Sequence, residues 1–124
     1  MPKQVLVVDD SVVIRQVVRA DLSQRGYVVD EAAGGRSALE KARQVQFDLI
    51  VTDQNMPGMD GLTLVKALRD LPGYEKTPVL VLTTETSGEM KTAFRTAGAT
   101  GWMSKPYAPE RMTPALAKML PEGP

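Results

Sequence analysis

Short apolar runs alternate five times along the chain with stretches whose apolar residues recur every three or four positions. Runs of that length bounded by turn residues predict buried strands, and the helical spacing predicts amphipathic helices, so the pattern is one of βα units around a parallel sheet. The first strand covers about residues 4–9. The helix after it has Ser11 as N-cap, Gly26 past its end, and Ile14, Val17, Val18 and Leu22 on its inner face. Tyr27-Val28-Val29 begins a second strand that ends near Ala32. Gly34-Gly35 then turns into a helix with Ala38, Leu39, Ala42 and Val45 inward.

Leu49-Ile50-Val51-Thr52 forms a third strand ending at Asp53, and Asn55 to Gly61 form a loop that Pro57 and two glycines keep irregular. Leu64, Val65, Leu68 and Leu71 mark the third helix, which Pro72-Gly73 ends. Val79-Leu80-Val81-Leu82 runs into Thr83 as the fourth strand; Met90, Ala93, Phe94 and Ala97 mark the fourth helix, closed by Gly98. A short fifth strand lies around 101–104. The last helix starts near Pro109 with Met112, Leu116 and Met119 inward, and Pro114 is expected to kink it or delay its start. Residues 121–124 read as a frayed tail.

Length and composition narrow the classes. A chain of 124 residues predicts one domain, 1–124, long enough for a core without staples. Fifteen basic and fifteen acidic residues give no net charge, so nothing favours nucleic acid or a polybasic membrane anchor. The absence of cysteine removes disulfides, thiolate chemistry and zinc–sulfur sites, and the absence of histidine means the chain is no phosphohistidine donor. No apolar run reaches the ~20 residues of a membrane span and no signal-peptide pattern opens the chain, so the expectation is a cytoplasmic protein without membrane insertion.

The chemistry sits at the strand ends, where open parallel sheets bind ligands. Asp9-Asp10 follow the first strand, Asp53 ends the third, Thr83 ends the fourth and Lys105 follows the fifth. One such aspartate alone reads as a helix cap or loop acid. Two carboxylates ~5 Å apart at an effective dielectric of ~20 repel by about 3 kcal/mol. A divalent cation relieves that repulsion, and Mg²⁺ takes oxygen ligands while keeping several waters. Asp53 is the candidate nucleophile for a phosphoryl group, because the loop after it can supply a carbonyl ligand and admit a donor. Lys105 suits phosphate, and Thr83 can donate a hydrogen bond to a phosphoryl oxygen. Trp102, the one tryptophan, reads first as an edge-strand aromatic packed on a helix.

Together these residues resemble the receiver domain of two-component response regulators, over nearly the whole chain from Val5 to about Leu120. The motifs are Val-Val-Asp9-Asp10, Asp53-Gln54-Asn55-Met56-Pro57-Gly58-Met59-Asp60-Gly61, Thr83-Thr84-Glu85 and Lys105-Pro106. The resemblance implies a flavodoxin-like, doubly wound α/β fold, with a five-stranded parallel sheet in the order 2-1-3-4-5 and helices on both faces. It implies that Asp53 is the phosphoacceptor, taking its phosphoryl group from a sensor histidine kinase (CheA-like). Asp10, Asp53 and the Asn55 backbone carbonyl would ligate Mg²⁺, with Asp9 acting through water. Lys105 would pair with the phosphoryl group, and Thr83 and Trp102 would form the switch. Asn55 and Glu85 occupy the positions that tune dephosphorylation. Gln54 departs from the aromatic that some members carry there, a difference expected to touch partner binding more than chemistry. The nearest type is the single-domain chemotaxis (CheY-like) receiver: a monomer without an output domain, signalling to the flagellar motor switch and met by a phosphatase. A phosphate-sink role is the alternative.

Other classes fit less well. A haloacid-dehalogenase-type phosphatase needs a second aspartate two residues after the first, where Ser11 follows Asp9. A flavin-binding electron carrier wants a Ser/Thr-rich loop after strand one, where Val12-Val13 stand. A scaffold-only receiver would not need the complete acid–Thr–Lys set. The expectation is thus a phosphoaccepting signalling protein that dephosphorylates itself, not an enzyme turning over an external metabolite.

Overall fold

The computed structural model describes residues 2–85 and 87–124. Strands β1 (Gln4–Val8), β2 (Val28–Ala32), β3 (Leu49–Asp53), β4 (Val79–Thr83) and β5 (Gly101–Ser104) alternate with helices α1 (Val12–Gln24), α2 (Gly35–Gln44), α3 (Gly61–Arg69), α4 (Gly88–Ala97) and α5 (Pro109–Met119). The strands form one parallel sheet in the order β2-β1-β3-β4-β5. This is the doubly wound, flavodoxin-like α/β fold the sequence implies.

Strand periodicity divides the core in two. Leu6, Val8, Ile50, Val79 and Val81 point to the face covered by α2, α3 and α4, where they meet Ala38, Leu64, Leu68 and Phe94. Val5, Val7, Leu49, Val51, Leu80 and Leu82 point to the other face, against Val18 and Leu22 of α1 and Met112 and Leu116 of α5. Because both faces are covered, the strands read as unbroken apolar runs rather than alternating ones. Each buried Leu or Val contributes roughly 1.5–3 kcal/mol.

The helix ends follow their capping residues. Ser11, Asp60 and Ser87 accept N–H bonds from Ile14, Thr63 and Met90, and α4 ends on Gly98 at φ 102°. Two apolar residues fall outside the faces assigned to them. Val17 is 46 % exposed, because it lies about 100° round the helix from the centre of the Ile14–Val18–Leu22 stripe. Val45 is exposed as the C-cap of α2, already in extended backbone.

Pro114 lies inside α5 without delaying its start at Pro109; the proline is exposed and the helix continues through it. The Lys105–Pro106 bond is cis. After α5 the chain turns, the Gly123 N–H donating to the Leu120 carbonyl and Pro124 lying against Gly26. Among the described residues no helix is long and apolar enough to cross a membrane.

Candidate functional site

Parallel register brings the ends of β1, β3, β4 and β5 to one rim. Val8 pairs with Thr52, Asp53 with Leu82 and Thr83 with Ser104. Asp9, Asp10 and Asp53 follow directly from that alignment, each offering a carboxylate oxygen within 4.8 Å of the others. Asp9 and Asp53 are buried and Asp10 is exposed, so the cluster opens to solvent on one side.

Lys105, one residue past β5, is drawn to the same rim because its N–H donates to the Thr83 carbonyl at 2.9 Å. Its ammonium stands 2.5 Å from Asp53 Oδ1. At that distance the ammonium is the charged partner of Oδ1, an ion pair at the rim of the sheet. Asp9 Oδ2 is buried and unpartnered among the described residues, while Asp9 Oδ1 accepts the Ser11 N–H at 2.9 Å. Burial raises the Asp9 carboxyl above its usual range, and the charges of Asp53 and Asp10 add to this. The Ser11 N–H and the Lys105 ammonium oppose it.

Buried acceptors normally find donors. An orphaned buried carboxylate oxygen on Asp9, with the carboxylates of Asp10 and Asp53 beside it, makes an all-oxygen donor set that fits a hard divalent cation. Zinc and soft metals are poorly served by it.

The surroundings hold these groups in place. Arg15 on α1 donates to the Asp9 carbonyl at 2.6 Å, and its Nε bonds Glu31 at 3.1 Å, which fastens the acidic turn to β2. Arg19 also binds Glu31, and its hydrogen bond, with that of Arg15, holds the Glu31 carboxyl below its usual range against the effect of burial. Tyr107, two residues after Lys105, donates to Asp21 of α1 at 2.5 Å, and Asp21 also holds Arg25. Burial raises the Tyr107 hydroxyl and the Asp21 carboxylate adds to the shift, so the ring stays neutral. Gly61 allows α3 to approach β3, since a Cβ there would lie 2.5 Å from the Asp53 carbonyl oxygen.

The remaining residues singled out from sequence are placed unevenly. Thr83 is fully buried at the end of β4, with its hydroxyl engaged by the Glu85 N–H at 2.9 Å. Asn55 and Glu85 are exposed on the loops after β3 and β4. Trp102 on β5 is half-buried, its ring 6.3 Å from that of Phe94 and 5.6 Å from the Arg95 guanidinium carbon. It packs on α4, as an edge-strand aromatic does.

Sequence reasoning passed over Arg15 and Tyr107 and took Gln54 as a partner-binding detail. The structure places the Gln54 side chain inside, bonded to the loop that follows the phosphoacceptor candidate. The signal available was Gln54 itself, a neutral donor–acceptor directly after a buried strand and six residues before the Asp60 cap.

Comparisons with known proteins identify the family. Residues 5–117 match the response regulator receiver domain. The response regulator MprA of Mycolicibacterium vanbaalenii is 37% identical over 120 residues, 97% of this chain and 51% of that protein. The transcriptional regulatory protein ResD of Bacillus subtilis is 31% identical, over 94% of this chain and 48% of that protein. The chain thus spans about half the length of these curated relatives. Among solved structures, Vibrio cholerae chemotaxis protein CheY4 superposes with a TM-score of 0.93 at 48% identity, covering 97% of this chain and 100% of that one. A response regulator protein from Burkholderia multivorans gives 0.79 at 45% identity, covering 96% and 95%. Fold, strand-end residues and matches together place this chain in the family of response regulator receiver domains.

Proposed function

We propose that this receiver accepts a phosphoryl group on Asp53 from a phosphohistidine of a sensor kinase, in a cytoplasmic chemotaxis pathway. The observation that carries the reading is the meeting of Asp53 with Lys105 at 2.5 Å and with Asp9 and Asp10 within 4.8 Å. An Asp53 carboxylate oxygen forms a bond to phosphorus while the phosphorus–nitrogen bond of the donor breaks, and the imidazole leaves. Water later attacks the phosphorus, releasing inorganic phosphate and restoring the carboxylate.

Asp10, Asp53 and the Asn55 carbonyl would hold Mg²⁺, with Asp9 reaching it through water. When bound, the ion neutralises phosphoryl oxygen charge and offsets the repulsion among the carboxylates. Lys105 is the fixed cation for the arriving phosphoryl group. Thr83 donates to a phosphoryl oxygen once it leaves Glu85. Asn55 and Glu85, exposed on the loops after β3 and β4, tune the access of the hydrolytic water. The balance is acceptance and self-hydrolysis, not turnover of an external metabolite.

Signalling is a population shift, because the phosphoryl group binds one arrangement of the Thr83 and Trp102 region better than the other. A groove of about 700 Å³ lined by Trp102, Lys91, Arg111 and Pro114 adjoins that region and gives an output partner a surface that would change with the switch. The similarity to a chemotaxis protein favours a flagellar motor switch as that partner over a phosphate-sink role. Pull-down with beryllofluoride-bound and unmodified protein tests it. Motor switch protein retained by the beryllofluoride form supports the motor reading. Rapid return of phosphate to the kinase with no retained partner supports the sink.

A further inference from the structure

Gln54 is 5 % exposed, and both ends of its amide are used. Oε1 accepts the Leu62 N–H at 2.8 Å, and Nε2 donates to Asp60 Oδ2 at 3.3 Å. The other Asp60 oxygen caps α3 by accepting the Thr63 N–H at 2.8 Å. The Gln54 backbone is also fastened, its N–H to the Leu82 carbonyl and its own carbonyl to the Gly61 N–H, each at 2.9 Å. One residue therefore closes the mouth of the loop 55–60 twice, through backbone at 61 and through side chain at 60 and 62.

The Leu62 N–H belongs to the first turn of α3 and has no partner within the helix, so Gln54 supplies a bond the helix needs. Inside the loop, Asn55, Pro57 and Gly58 are exposed. We infer that Gln54 is a positioning residue for the ion site, its amide holding the Asn55 carbonyl in place relative to Asp53. The inference rests on the reading that Asp10, Asp53 and that carbonyl hold Mg²⁺. A glutamine is apt because it both donates and accepts without adding a charge to three carboxylates. A methionine would fill the same volume and do neither.

Calorimetric titration of the full chain with Mg²⁺ alone tests this on Gln54→Met, Asp60→Ser and Tyr74→Phe. Serine keeps a capping oxygen for Thr63 but is too short to reach Gln54. Tyr74→Phe is the control: it leaves the buried Phe47 N–H unpaired at the opposite end of the sheet, so it lowers stability away from the site. Gln54→Met should weaken Mg²⁺ binding by about tenfold and Asp60→Ser by less, while Tyr74→Phe melts earlier with binding unchanged. Folded Gln54→Met with an affinity within about twofold of wild type overturns the inference, and so does an equal loss in Tyr74→Phe. If Gln54→Met does not fold, unchanged binding in Asp60→Ser overturns it instead. Wild-type protein that binds no Mg²⁺ overturns the ion reading itself, a separate failure visible before any variant is compared.

Discussion

The hydroxyl of Thr83 accepts the backbone N–H of Glu85 at 2.9 Å, tying the buried end of β4 to the loop that leads into α4. The same hydroxyl is the group expected to donate to a phosphoryl oxygen on Asp53. A side chain rotating toward that oxygen would give up the Glu85 bond, and on the proposed function this would couple occupancy of the site to the conformation of the loop.

Trp102 should report this coupling. Movement of Thr83 vacates volume beside β4 and β5, into which the half-buried indole can turn for roughly 1–2 kcal/mol of apolar packing. Beryllofluoride with Mg²⁺ should therefore shift its emission and reduce quenching by acrylamide. Thr83→Ala should bind beryllofluoride with the Trp102 signal largely unchanged. A wild-type protein fully bound to beryllofluoride with unaltered emission would leave Trp102 as ordinary packing on Phe94 and Arg95.

Asp9 makes the metal-free protein sensitive to pH. Its carboxyl is raised in the folded state, chiefly by burial. The folded form therefore holds the Asp9 proton more tightly than the unfolded chain, whose value is about 3.9. This contribution to metal-free stability is present below that pH and is lost as pH rises through the folded value. Asp9→Asn keeps an oxygen for the Ser11 N–H and removes the charge. In chelator at pH 7 it should raise the melting temperature by roughly 2–5 °C, with the gain vanishing near pH 4. Mg²⁺ should narrow the difference at neutral pH. A variant melting at or below wild type in chelator at pH 7 contradicts this account of Asp9.

Asp10 and Lys105 should separate under Mg²⁺ titration. Asp10→Ala removes a ligand and should weaken binding by more than about tenfold. Lys105→Ala removes a cation that stands against Asp53, so it should leave Mg²⁺ affinity unchanged or slightly higher. Equal losses in the two variants would mean their roles are misassigned.

Much of this was legible in the chain because burial on both sheet faces writes each strand as a continuous apolar run, and parallel register then puts the strand-end residues together. Asp9, Asp10, Asp53 and Lys105 converge for that reason. Helix faces were less legible. Val17 and Val45 fit the spacing, yet one lies at the edge of the buried stripe and the other past the helix end. Long polar side chains were the least legible. Arg15 reaches the Asp9 carbonyl, Gln54 spans its own loop and Tyr107 reaches Asp21 far away in sequence, and each bond depends on a rotamer that no spacing pattern sets. The turn at 121–124 escaped for a related reason, since Pro124 finds Gly26 only once α1 and α5 lie side by side.

The central claim is that Asp53 is the group that becomes phosphorylated, and intact-mass measurement tests it most directly. Wild-type protein treated with acetyl phosphate in Mg²⁺ should show a single phosphoryl adduct that disappears with time and does not form in chelator. Asp53→Asn, treated identically and shown to be folded, should remain unmodified. A stable adduct of equal yield on Asp53→Asn would contradict the assignment and move the chemistry to another residue.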